Sequence, residues 1–132
     1  MNRTCGTYLL LAMLLATAGC GKSYYTPAAL RALSEKNIEK LEGKWIKVRG
    51  PITKAKYFKD GAPLSLIPDD TGAIAMQEEG KRELAFMFKG PKSGRWSIDS
   101  LSRDDVVTIK GKVTHAGKES LMCEQCELLS GP

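Results

Sequence analysis

The segment WIKVRGPI, residues 45–52, places Ile46, Val48, Gly50 and Ile52 on one side and Lys47 and Arg49 on the other, a period of two that predicts a half-buried strand. The same order of types returns in VVTIKGKV, where Val107, Ile109, Gly111 and Val113 alternate with Thr108, Lys110 and Lys112. Each strand carries a glycine at an inward place. Such a glycine predicts close approach of another backbone or a sharp coil, as a small closed barrel requires. Pro51 lacks a ladder donor, so that place predicts a bulge or a sheet edge. Between these strands, Pro63–Ile67 (PLSLI) and Ala73–Gln77 (AIAMQ) flank the turn Asp69-Asp70-Thr71-Gly72 and predict a hairpin-like unit. Glu83–Lys89 follows a charged turn, and Glu119–Leu129 follows the turn His115-Ala116-Gly117-Lys118 as the last strand.

Upstream of Lys44 the period is helical. Thr26-Pro27 reads as an N-cap followed by proline at the first helical position, and Gly43 as a stop. Leu30, Leu33, Ile38 and Leu41 share one side, as one short helix or two pieces broken near Ser34. Trp96, Ile98 and Leu101 at near-helical spacing predict one more short helix within Pro91–Asp105. The expected architecture is therefore mainly β: a five-stranded OB-fold Greek-key barrel with a short N-terminal helix and a short helix between strands 3 and 4.

The runs EKNIEKLEGKWIKVRGPI, SRDDVVTIKGKV and LMCEQCELL resemble a family of bacterial exported OB-fold proteins termed tRNA-anticodon-binding-like, many of them lipoproteins. Gly43, Val48, Gly50, Asp105, Val107, Gly111 and Cys126 stand at the places that carry the resemblance, which extends from Leu30 to Leu129. The resemblance implies an OB-fold and does not by itself imply RNA binding.

The first residues change the setting. Arg3, the apolar run LLLAMLLA and Ala18-Gly19-Cys20 have the parts of a secretory signal with a lipoprotein processing site. Residues 1–19 are then expected to be removed, Cys20 to carry acyl chains, residues 20–26 to form a tether, 27–43 a helical segment and 44–129 the barrel. Gly21-Lys22-Ser23 also fits a loose phosphate-binding loop. That loop needs a buried strand before it and a long helix after it, and Tyr24-Tyr25-Thr26-Pro27 interrupts a helix at the point where it should begin. The expected location is the cell envelope, lipid-anchored and facing the periplasm. Gly21 lacks the aspartate that retains Gram-negative lipoproteins at the inner membrane, which favours the outer membrane.

Taking residues 1–19 from 132 leaves 113, the size of one domain. Losing Arg3 leaves 19 basic against 15 acidic residues, a mild excess suited to solubility or to an anionic partner. Candidate catalytic groups are sparse. His115 is the one histidine, and Asp69-Asp70 and Asp104-Asp105 sit where turns use aspartate for local hydrogen bonds. No enzyme activity, metal or cofactor is expected.

Cys123-Glu124-Gln125-Cys126 is the sharper chemistry, because Cys5 leaves with the signal and Cys20 is acylated. In an exported chain a pair suggests a disulfide, yet residues three apart in a regular strand face opposite ways, their α-carbons about 10 Å apart. A bulge at Glu124-Gln125 would bring both sulfurs to one face, and the parity of Leu121 and Leu128 supports it. A structural disulfide or two inert thiols follow. Thiol-redox or metal handling by this pair is the alternative, and it lacks a helix N-terminus and further ligands.

OB-folds bind with strands 2 and 3 and the loops between strands 1 and 2 and strands 4 and 5. The first loop is expected to hold Lys54, Lys56, Tyr57, Phe58 and Lys59, the second His115 and Lys118. Aromatics among lysines stack on sugars or bases and neutralise anions. The expected role is a non-catalytic binding module for a protein, glycan or anionic ligand, with nucleic acid a lower-ranked partner because export removes the chain from most of it.

Overall fold

The computed structural model describes residues 23–62, 64, 67–76 and 82–132. Residues 1–19, Cys20 and the first part of the tether lie outside the described residues, as does most of Pro63–Ile67 and of the charged turn before Arg82.

Two short helices open the described chain. Thr26 accepts a hydrogen bond at its side chain from Ala29 N–H (3.1 Å) and starts α1, Pro27–Ala32. Ser34 accepts one from Asn37 N–H (3.2 Å) and starts α2, Glu35–Glu39. The chain breaks at Ser34 because a capping hydroxyl there competes with continued helix. Gly43, at φ 83°, turns the chain into the first strand.

Among the described residues eight strands follow: β1 Trp45–Pro51, β2 Lys54–Phe58, β3 Thr71–Met76, β4 Glu83–Lys89, β5 Lys92–Ser93, β6 Trp96–Ser97, β7 Val106–Ala116 and β8 Ser120–Ser130. Six form one mixed sheet in the order β1-β7-β8-β4-β3-β2, and β5 with β6 makes a separate hairpin. All neighbours in the large sheet are antiparallel except β4 and β8, which are parallel.

The two glycine-bearing strands pair with each other. Gly50 lies opposite Val107 and Gly111 opposite Ile46. Each glycine makes room for a side chain where close backbone approach was expected. A Cβ on Gly50 would meet the Pro27 ring at 2.5 Å, and one on Gly111 would meet Cys126 Sγ at 2.6 Å. The first contact seats α1 on the sheet. The inward residues of all six strands then close one core with Leu30 and Ile38 of the helices and Ile98 and Leu101 beyond β6.

β1 and β2 follow one another in the chain yet sit at the two ends of the sheet order. Ile52 and Thr53 make the corner. Ile52 N–H donates to Asp105 O (2.9 Å) beside β7, while Thr53 N–H donates to Ala75 O (2.8 Å) of β3. Both edges thus meet at this corner, but β1 and β2 do not pair with each other and the sheet remains open along that seam.

Two expectations change, and the end of the expected tether gains a partner. Lys54–Phe58 is a strand and not a loop, so Thr71–Met76 pairs with it in place of Pro63–Ile67, where Ala62 and Ile67 form only an isolated bridge. The expected helix after Pro91 is a single 3-10 turn, Ile98–Ser100, because Gly94 at φ 59° first turns β5 into β6. The tether is not free along its length. Tyr25 bridges Val48 in parallel, donating to Lys47 O (2.8 Å) and accepting from Arg49 N–H (2.9 Å).

Candidate ligand-binding face

The register places the alternating residues of β2, β3, β4 and β8 on two faces. Ile74, Met76, Leu84, Phe86, Leu121 and Cys123 are buried on one. On the other, Lys54 lies opposite Ala75, Ala75 opposite Ala85, Ala85 beside Met122, and Met122 opposite His115. This one row crosses five strands and covers about 19 Å at the usual strand spacing. The next row runs Lys56, Ala73, Met87 and the third Phe58, Thr71, Lys89.

Three alanines therefore floor a strip that Lys54, Lys56 and Phe58 bound on one side and Met122 and His115 on the other. Lys56 Nζ lies 5.2 Å from the Phe58 ring centroid, within cation–π range. Lys89 adds a third positive charge; the acidic groups near this face are Glu83 at the opposite end of β4 and Asp69, Asp70 and Glu124, which border one cavity with Thr71, Met87 and Lys89. Small side chains between cations and an aromatic ring let a flat or extended ligand approach the sheet closely while its charge is neutralised from the rim.

The structure divides the expected site residues. Lys54, Lys56, Phe58 and His115 share the strip. His115 reaches it because a register shift between Val113 and His115 turns Thr114 and His115 outward together. Tyr57 does not, and its role changes. Its hydroxyl donates to Asp70 Oδ1 (2.5 Å), its N–H donates to Asp99 Oδ1 (2.8 Å), and the bond to Asp70 raises the phenol above its ordinary value. Tyr57 ties the β2 edge to the 3-10 turn. Lys59 lies just past the end of β2, and Lys118 lies in the β7–β8 turn, where its carbonyl accepts from Arg82 Nε (3.2 Å). Sequence reading missed Ala73, Ala75, Ala85 and Met122. Their signal was present in AIAM and ELAFMF, where the solvent-facing alternates of two adjacent strands are small or apolar instead of charged.

The cysteine pair behaves as its parity implied in one respect. Lys110 opposes Glu127 and Lys112 opposes Glu124, so β8 carries one residue more than β7 between these pairs, and Gln125 takes φ 54° to absorb it. Both cysteines consequently pack over Gly111. Of the two expected states, the disulfide is not shown: both are free thiols. Burial pushes the Cys123 thiol up to about 12, and it pushes Cys126 up as well, with the neighbouring Cys123 adding to the rise and a backbone hydrogen bond from Met87 opposing it. A reactive or metal-binding cysteine needs the opposite shift, toward thiolate. Among the described residues no group of three or more His, Cys, Asp or Glu is arranged to hold a metal ion, and no helix is long and apolar enough to cross a membrane.

No family model matches the chain, and a search of curated proteins finds no match.

Proposed function

We propose that this protein is a non-catalytic, lipid-anchored OB-fold module of the cell envelope that binds a glycan or other extended anionic ligand, or an acidic protein segment, on the alanine-floored strip. The observation that carries the reading is the register row Lys54–Ala75–Ala85–Met122–His115, which joins Lys54 at one rim to His115 at the other across Ala75, Ala85 and Met122. Three features support the OB-fold assignment: the order β1-β7-β8-β4-β3-β2, the single parallel pair β4–β8, and a first strand that continues through Ile52-Thr53 into β2. In that assignment β1 and β2 are two halves of one bent strand, and β3 and β4 are the pair whose outer face OB-folds use for ligands. The Arg3, LLLAMLLA and Ala18-Gly19-Cys20 pattern supports export and acylation at Cys20, with the outer membrane of a Gram-negative envelope as the preferred site.

The test is fluorescence polarisation with a labelled sulfated oligosaccharide at low salt, using the full chain extracted from membranes. Binding should weaken by about tenfold or more, equivalent to 1.4 kcal/mol, in Ala85→Leu, which fills the floor, and in Lys54→Gln/Lys56→Gln, which removes the rim charge. Equal affinity in all three proteins would remove the strip from consideration, and no binding by the unsubstituted chain would reject sulfated glycans as the ligand.

A further inference from the structure

The second surface of interest lies at the other end of the sheet, on β1 and β7. There a groove of about 430 Å³ is bordered by Tyr24, Tyr25, Leu41, Lys44, Trp45 and Lys110. Tyr24 is 48% exposed and Trp45 51% exposed, the two largest aromatic exposures among the described residues. Lys110 Nζ stands 5.7 Å from the Trp45 ring centroid. Lys47 lies opposite Lys110 and Trp45 opposite Lys112, so four lysines, with Lys44, surround one exposed indole. Glu127 and Glu124 face Lys110 and Lys112 from the β8 side.

Chain length decides what this surface meets. Tyr25 is fixed to β1 through Lys47 and Arg49, and five peptide steps separate it from Cys20. Fully extended, they span at most about 18 Å. A domain of this size has a radius of gyration of about 13 Å and is about 34 Å across. A tether shorter than the domain is wide keeps the surface around Tyr25 turned toward whatever holds Cys20. Tryptophan and tyrosine favour the headgroup level of a bilayer, and lysines there are drawn to anionic lipids.

We infer that the Tyr24–Trp45 groove with Lys44, Lys47 and Lys110 is a docking surface for the anionic phospholipid headgroups of the membrane that carries the anchor. This inference rests on the acylation at Cys20 proposed above. It adds a fixed orientation: the β1–β7 surface around Trp45 lies on the bilayer, and the alanines of β3 and β4, on the other half of the sheet order, are presented away from it.

The full chain extracted from membranes is weighed intact by mass spectrometry and then reconstituted into vesicles of phosphatidylcholine with or without phosphatidylglycerol, carrying brominated acyl chains. Trp45 and Trp96 are the two indoles, so quenching that disappears in Trp45→Phe reports Trp45 alone. The expected result is an acylated chain whose Trp45 is quenched in vesicles containing phosphatidylglycerol. Each of Lys44→Gln, Lys47→Gln and Lys110→Gln should lower the docked-to-undocked ratio by about fivefold there. An acylated chain with Trp45 unquenched would overturn the docking surface and leave the anchor standing. Equal quenching without phosphatidylglycerol would overturn the role of the anionic headgroup. A chain with no acyl mass would overturn the anchor and this inference together. A shift of Trp45 emission with soluble glycerol phosphate and no quenching in vesicles would reassign the groove to a free anion.

Discussion

Gly111→Ala is the substitution whose outcome the geometry specifies most closely. An ideal Cβ at residue 111 lies 2.6 Å from Cys126 Sγ and 3.0 Å from Cys123 Cβ, with Glu124 O in ordinary contact at 3.5 Å. The sulfur must move, and it sits against Met87 on the neighbouring strand. Overpacking of this kind costs about 1–3 kcal/mol, and replacing a strand glycine returns about 0.5–1 kcal/mol through the unfolded chain. A net loss of about 1–2 kcal/mol follows, which lowers Tm by about 4 °C for each kcal/mol in a domain of this size. Cys126→Ala removes the nearer atom. The remaining Cys123 Cβ needs to give by only a few tenths of an ångström, so Gly111→Ala in the Cys126→Ala background should be close to neutral. Urea unfolding of the four proteins, with m unchanged, should therefore yield a coupling of about 1–2 kcal/mol. Additivity within about 0.5 kcal/mol would refute the reasoning, because it would mean that the sulfur does not occupy the space the glycine leaves.

Two further outcomes follow from buried polar groups. Arg82, 8% exposed, donates from Nη1 to Leu30 O (2.8 Å) and Leu33 O (3.2 Å) at the end of α1. Arg82→Met strands these carbonyls and should cost about 1–3 kcal/mol in thermal denaturation, whereas an unchanged midpoint would show that the guanidinium adds nothing there. The thiol of Cys123 is raised from 9.0 to about 12 on folding. The unfolded chain therefore loses this proton first as pH rises, so stability is complete below about pH 9 and declines toward pH 12, by up to about 1.4 kcal/mol per unit. Urea midpoints from pH 8 to 11 should fall less steeply in Cys123→Ala than in the unsubstituted chain, and parallel slopes would contradict a buried neutral thiol.

The period of two was enough to find β1 and β7, where large apolar residues alternate with charges, and β4 and β8 were legible as apolar segments that follow charged or glycine-bearing turns. It failed on Lys54–Phe58, where the sheet-facing alternates are Ala55 and Tyr57 and the neighbours are lysines, a pattern that a strand at a sheet edge shares with a loop. It failed again at Pro63–Ile67, whose apolar alternation competes with a true partner for Thr71–Met76 that only long-range pairing selects. Inward glycines announced close packing at residues 50 and 111, but nothing local says that a proline ring and two sulfurs fill those spaces. The bulge in β8 was legible from the parity of Leu121 and Leu128, since one extra residue is the least change that keeps both inside. The alanine strip was hidden for the reverse reason: small residues carry little hydrophobic signal, and the alignment of a row across five strands depends on a register fixed by the whole sheet.

The position of β8 has a consequence for the order in which the chain acquires structure. β8, Ser120–Ser130, 11 residues long, comes later in the chain than every strand it joins and is inserted between β7 and β4 at the middle of the sheet. Until it emerges, β1 with β7 and β2 with β3 and β4 are two fragments joined along no ladder, and Trp45 must wait for Lys112 before it can pair at all. Most contacts that define the molecule link residues far apart in sequence, which makes folding slow compared with a helical chain of the same length. A polypeptide built this way keeps its two fragments unlinked until Ser120–Ser130 arrives, and that strand acts as the latch that commits the sheet to one arrangement.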